Sequence, residues 1–273
     1  LLKLIEPSDM KLFSLLILWA LSFTIFSVKS SAQSSADAFE AKPSWEENFN
    51  GKGYPNESYW TISKTYTKQH LARYVENPQN VYVKRGKLHL VLRQNPADTS
   101  SYISGRIVSK RTFSCGKLEF RAKCPVSKGV WNAIWLRDAS KEKCRGEIDI
   151  LEQIGCWGKE KYQLNFHLWG KFGGKSNNHQ QNQRYANIDV SDFHIYTLEW
   201  YEERFVALVD GQEVCRFSKD EIKEWPFNHD YHMIIALAYG GNWAGACGTD
   251  DAALPQTLQV DWIKYYELKK KAR

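Results

Sequence analysis

The sequence predicts an all-β fold, a sandwich of two antiparallel sheets in jelly-roll form. Three observations carry that expectation. Short segments that alternate or run apolar follow one another from residue 81 to residue 267, turn residues separate them at short intervals, and a single brief stretch reads as helix. A sandwich whose sheets curve makes a concave cleft, the natural place for a ligand.

Leu1 to Asp9 precede the first methionine and read as upstream or non-native residues. Residues 10–32 have the form of a signal peptide: a charged start at Met10-Lys11, an apolar stretch to Val28, and small residues for cleavage at Ser30-Ser31-Ala32. The stretch is only marginally long enough for a membrane anchor, so cleavage is the reading taken. It implies a secreted protein, extracellular or periplasmic, with no membrane attachment afterwards. Residues 33–43 read as a short leader, 44–268 as one domain, and 269–273 as a basic tail.

Within the domain the expected strands are 81–93, 105–110, 115–123, 130–136, 147–153, 162–168, 193–201, 204–209, 232–238 and 257–267. Asp210-Gly211 is a two-residue hairpin signal that joins residues 205–209 to residues 212–217. Residues 218–225 read as the short helix, with Ser218 as its cap and Glu221 three positions later.

The net charge of +6 comes partly from the tail, and elsewhere bases and acids interleave, so nucleic-acid binding is not indicated despite a pI near 8.8. A monomer is the default. Six cysteines suit disulfides in an exported protein. Cys115 and Cys124 end one expected strand and, at about 30 Å apart when extended, cannot pair with each other. The same holds for Cys144 and Cys156, while Cys215 could be bridged or a free core thiol. No cysteine spacing points to zinc.

The most informative segment is Gly146-Glu147-Ile148-Asp149-Ile150-Leu151-Glu152-Gln153-Ile154-Gly155, with three carboxylates in an apolar run that holds no cation. Burying an unpartnered carboxylate is expensive or forces its pKa upward, so the run suggests a site that uses perturbed ionisation. In a strand Glu147 and Asp149 share one face, and strict alternation would send Glu152 to the other. A β-bulge near Ile150 or Leu151 would restore it. Two glutamates on one face can then stand about 5–5.5 Å apart, the separation for retaining glycoside hydrolysis. Asp149 between them would repel both charges and help keep one glutamate protonated. The competing reading is a half-exposed strand with solvated acids.

Eleven tryptophans exceed what a core of this size needs. Trp131 and Trp135 share one strand face, and Trp157, Trp169 and Trp243 sit in Gly-rich contexts. Sugar rings stack on such surfaces, though Trp131 and Trp135 could equally fill the core.

Three blocks resemble glycoside hydrolase family 16 in unbroken order: Gly129-Val130-Trp131-Asn132-Ala133-Ile134-Trp135-Leu136, then Gly146 to Glu152, then Asp192-Phe193-His194-Ile195-Tyr196-Thr197-Leu198-Glu199-Trp200. The likeness continues through Gly240-Gly241-Asn242-Trp243 and Val260-Asp261-Trp262. The five-residue interval between the glutamates resembles the bulged, laminarinase-like branch. The resemblance implies a concanavalin-like jelly roll and an endo-β-glucanase cutting β-1,3 or mixed β-1,3-1,4 bonds with retention.

Carried over by position, it implies Glu147 as nucleophile, Glu152 as acid/base and Asp149 as the residue that tunes them. Trp131, Trp135, Asn165 and Trp243 would bind substrate, with His167 approaching the acid/base region. No cofactor is implied for catalysis. A structural calcium in many relatives has matching positions at Asp261, the Gly86 carbonyl and backbone near Glu47. The Gly- and Asn-rich segment 169–179 reads as a cleft loop. Lys171, Lys175 and Arg184 near it leave open a galactan such as agarose or carrageenan as substrate. A non-catalytic β-glucan-binding protein on the same sandwich is the reading from a different class, and intact Glu147 and Glu152 weigh against it.

Overall fold

Two layers of strands account for the alternating pattern. The structure, a computed structural model, describes residues 38–140, 146–168 and 182–269. The larger sheet runs β15 (Gln212–Ser218), β14 (Arg204–Val209), β13 (His194–Trp200), β8 (Gly116–Lys123), β17 (Gln256–Glu267), β5 (Lys87–Asn95), β6 (Asp98–Ser104), β3 (Ala72–Tyr74). Two short strands add to it, β1 (Trp45–Glu47) on β17 and β4 (Val81–Lys84) on β5. The second sheet runs β12 (Arg184–Ala186), β11 (Tyr162–Leu168), β10 (Gly146–Ile154), β9 (Val130–Asp138), β16 (Tyr231–Tyr239), β7 (Arg106–Phe113), β2 (Trp60–Ile62). Pairing is antiparallel except between β3 and β6.

Alternation decides which side chains meet between the layers. Leu88, Leu90 and Leu92 of β5 and Leu118, Phe120 and Ala122 of β8 are buried in one core with Ile134, Leu136, Ile148, Phe166, Ile235 and Leu237 of the second sheet. The other face of the second sheet carries Trp131, Ala133 and Trp135 of β9, Glu147, Asp149 and Glu152 of β10, and Ala236 and Ala238 of β16. That face is the floor of a cleft.

The structure departs from the sequence reading at several places, and β6 (Asp98–Ser104) is a strand that no expected segment covered. Residues 81–93 are not one strand but the hairpin of β4 and β5, reversed at Arg85-Gly86 with φ of 55° and 69°. The expected helix 218–225 is a single 3-10 turn, Lys219–Glu221, in which Glu221 Oε1 accepts the Ser218 N–H at 2.9 Å. Ile222 is already extended, and Pro226 disfavours helix at Trp225. Residues before 44 also make contacts with the domain. Phe39 is 2 % exposed and packs on Tyr201, while Glu40 N–H donates to Glu267 and Lys269 N–H to Ala38. Finally, β1, β2, β3 and β12 span three residues each, too few to show a period.

Cys156 and Cys247 form a disulfide, and Cys115, Cys124 and Cys215 are free thiols. Cys144, the signal segment 10–32, the segment 169–179 and tail residues 270–273 lie outside the described residues. Among the described residues no helix is long and apolar enough to cross a membrane.

Candidate active site

Strand β10 is built around one extra residue. Against β9, Asp149 pairs with Trp135 and Leu151 with Ile134, so Ile150 has no opposite number. Against β11, Glu147 faces His167, Asp149 faces Asn165 and Glu152 faces Gln163, with the same shift between Asp149 and Glu152. The expected bulge therefore lies at Ile150, turning Ile150 and Leu151 into the core and returning Glu152 to the face of Glu147 and Asp149.

Each carboxylate meets a polar partner from a neighbouring strand. Glu152 accepts the Trp131 indole N–H on Oε1 and the Gln163 amide on Oε2, both at 3.1 Å. Asp149 shares a hydrogen bond with Glu152. His167 Nε2 stands 2.8 Å from Asp149 Oδ2 and 3.6 Å from Glu147 Oε1, with the Asn165 amide 3.0 Å away. The histidine expected near the acid/base thus lies against Asp149 and Glu147.

Burial is the dominant electrostatic fact. It pushes Glu147 up to about 8, helped by the Asp149 charge and opposed by His167 and Arg137. Burial also lifts Asp149 and Glu152 well above the usual carboxylate range, and Asp149 adds to the effect on Glu152. Three such groups cannot all ionise at neutral pH. They hold protons as a set, and the least buried member gives up its proton first. That member is Glu147, whose side chain is 19 % exposed against 3 % for Asp149. The arrangement can present one carboxylate and one carboxylic acid to a bond lying across β10. Glu147, Asp149 and His167 also hold ligand atoms within 4.8 Å of one another, but a metal there would occupy the lone pairs that this proton chemistry needs.

The sequence resembles a known family model over most of its length: residues 68–264 match "Glycosyl hydrolases family 16". The chain belongs to glycosyl hydrolase family 16. It is 30 % identical over 246 residues to a beta-glucanase of Rhodothermus marinus, covering 81 % of this chain and 84 % of that protein. A glucan endo-1,3-beta-glucosidase A1 of Niallia circulans is 28 % identical over 82 % of this chain, which spans 37 % of that longer protein. The solved laminarinase of Rhodothermus marinus superposes with a TM-score of 0.74 at 27 % identity, covering 85 % of this chain and 99 % of that one.

As a family 16 enzyme the protein is a glycoside hydrolase, and its cleft residues divide into those visible in the sequence and those not. Trp131, Trp135, Glu147, Asp149 and Glu152 line the cleft together. Trp243 reaches it through Trp131, ring centroids 4.8 Å apart. His70, Tyr74, Arg106 and Arg137 line it too and were not singled out. Arg106 lies over both Tyr74 and Trp135, and its buried Nε has no partner among the described residues. Gln163 was also missed, although Gln163, Asn165 and His167 form a period-two polar stripe that could have been read. Lys171 and Lys175 lie outside the described residues, and Arg184 is ion-paired with Glu221.

The family's calcium positions do not fit that ion here. Asp261 receives the Arg121 guanidinium at 2.5 Å and the Lys87 ammonium at 3.4 Å. Glu47 turns inward, accepting the Phe49 N–H at 2.7 Å and the Trp60 indole at 3.1 Å, and Gly86 serves the β4–β5 turn. Calcium needs several oxygens free of competing cations, and two protein cations already neutralise the one carboxylate expected to bind it. As placed, Asp261 and Gly86 do not present the set of uncontested oxygens that a calcium takes.

Proposed function

We propose that this family 16 chain is a secreted, monomeric, retaining endo-β-glucanase that cuts internal β-1,3 or mixed β-1,3-1,4 glucosidic bonds. The observation that supports it most is the bulge at Ile150, which sets Glu147 and Glu152 on one face with Asp149 between them. The glucanase and laminarinase names of its relatives support the substrate. The alanines at 133, 236 and 238 leave room on the cleft floor for a sugar ring. A disulfide fits export.

In this reading ionised Glu147 attacks the anomeric carbon while Glu152 gives its proton to the departing glycosidic oxygen. The products of that step are a glycosyl ester on Glu147 and a freed sugar hydroxyl. Glu152, now a carboxylate, takes a proton from water, whose oxygen attacks the same carbon and releases Glu147. Configuration is inverted twice and so retained. Asp149 keeps the proton on Glu152 through the hydrogen bond they share, and His167 holds Asp149 in place. The scheme needs no cofactor.

Product chromatography after separate incubation with laminarin, barley β-glucan, lichenan and agarose tests the reading. Oligosaccharides from laminarin are expected, lost in Glu147→Gln with binding kept. Products from agarose alone would overturn the substrate, and binding without products would turn the assignment to a glucan-binding protein.

A further inference from the structure

Beyond Trp131 and Trp243 the aromatic surface does not stop. Trp243 meets Trp157 edge-on at 5.6 Å, and Trp157 meets Tyr185 at 5.8 Å. Neither Trp157 nor Tyr185 has a place in the chemistry above. Their position follows from register. Glu152 pairs with Gln163 on β11, and Gln163 pairs with Tyr185 on β12. Directly opposed residues of neighbouring strands point to the same face, so Tyr185 stands in one cross-strand row with the acid.

Tyr185 is 48 % exposed at the edge of the sheet, which core packing does not explain. The Lys161 ammonium sits 4.1 Å from its ring and 5.3 Å from that of Trp157, fixing both. Trp157 is held more firmly. It closes the 3-10 turn Gly155–Trp157, where a Cβ on Gly155 would come within 1.8 Å of the Ser127 carbonyl oxygen, so only glycine lets the chain turn there. The Cys156–Cys247 disulfide ties this turn to the segment that follows the helix Gly241–Ala244, which carries Trp243. Two loops bearing aromatic rings are thus joined covalently beside the cleft.

We propose that Trp157 and Tyr185 continue the cleft beyond Glu152 as a stacking platform for glucosyl units on the leaving-group side of the cleaved bond. The direction rests on the reading of Glu152 as the acid, since the leaving sugar departs past the group that protonates it. The ligand class is a β-linked glucan of several units, held by ring faces with few ionic contacts. The exposed Tyr185 ring and the partly buried Trp157 ring suit the apolar faces of pyranose rings, and the platform costs little conformational entropy because the disulfide and Lys161 hold it in place.

The test is the cleavage pattern and KM of the mature chain on laminarihexaose labelled at its reducing end, compared with an aryl β-laminaribioside that has no sugar past the cleaved bond. For Trp157→Ala and Tyr185→Ala, the ratio of kcat/KM on hexaose to that on the aryl glycoside should fall roughly tenfold, through KM. Cleavage should move toward the labelled end. Tyr185→Phe, which keeps the ring, should stay within twofold of the parent. Unchanged ratio and pattern in alanine variants with parental melting temperatures would overturn the platform, whereas a parent inactive on every glucan would overturn the enzyme reading itself. If the alanine variants do not fold, fluorescence titration of Glu147→Gln with and without Trp157→Phe decides. Loss of most of the hexaose-induced change supports the platform, and an identical change in both removes it.

Discussion

Trp131 donates its indole N–H to Glu152 Oε1 at 3.1 Å while its ring packs edge-on against Trp243 at 4.8 Å. One side chain therefore links the ionisation of Glu152 to the aromatic wall of the cleft. A hydrogen bond to the carboxylate favours its charged form, so this contact opposes the upward push of burial on Glu152.

Trp131→Phe keeps the ring and removes the donor. The pKa of Glu152 should then rise further, moving the alkaline limb of the kcat/KM profile to higher pH, with kcat down about tenfold as the acid loses its orientation. A pH profile on laminarin checks it, and an alkaline limb at the parental pH would place the proton donor elsewhere.

Glu147 offers a stability test. Its ordinary value is 4.5, and the fold pushes it up to about 8. Between those values the folded state binds more protons than the unfolded one, so the group weakens the fold progressively as pH rises from about 4.5 to 8. Glu147→Gln should be more stable than the parent at pH 8, by on the order of 4 kcal/mol, and melt at higher temperature, with the gap closing toward pH 4.5. Calorimetry across that range reads it. A gap that grows toward acid pH would mean the carboxylate is stabilised in the fold.

In the Arg121–Asp261–Lys87 cluster two protein cations neutralise one carboxylate. A chelator should leave the melting temperature of the chain within 1 °C or so, and Arg121→Ala should cost about 1 kcal/mol, as for other partly exposed pairs. A drop of many degrees on adding EDTA would show an ion displacing Arg121.

The Cys156–Cys247 bridge closes a long loop across the cleft end. Replacing both cysteines by serine should remove about 2–4 kcal/mol of stability. The loss on long glucans should exceed that on short ones, since the bridge carries Trp157 and Trp243 toward each other. Equal effects on both substrate lengths would confine the disulfide to a structural role.

Much of the site was legible before any coordinates. Glu147, Asp149 and Glu152 at i, i+2 and i+5 demanded a bulge, because a period of two cannot otherwise keep all three on one face. The structure places it at Ile150. Gln163, Asn165 and His167 carried an equally readable stripe whose meaning depended on knowing which strand lay opposite. The Arg85-Gly86 turn escaped notice because the apolar alternation runs almost unbroken through it.

By itself the sequence determined the strand content, the two-sheet class and the three carboxylates of β10, since these follow from local periodicity along a single segment. Tertiary structure decided what touches what across the chain. It brought β12 beside β11 so that Tyr185 shares a row with Glu152, it joined Cys156 to Cys247, and it set Arg121 and Lys87 on Asp261 where the family pattern suggested a metal. The physical reason is range: alternation is encoded over a few residues, whereas strand order, loop contacts and the neutralisation of a charge depend on segments scores of positions apart.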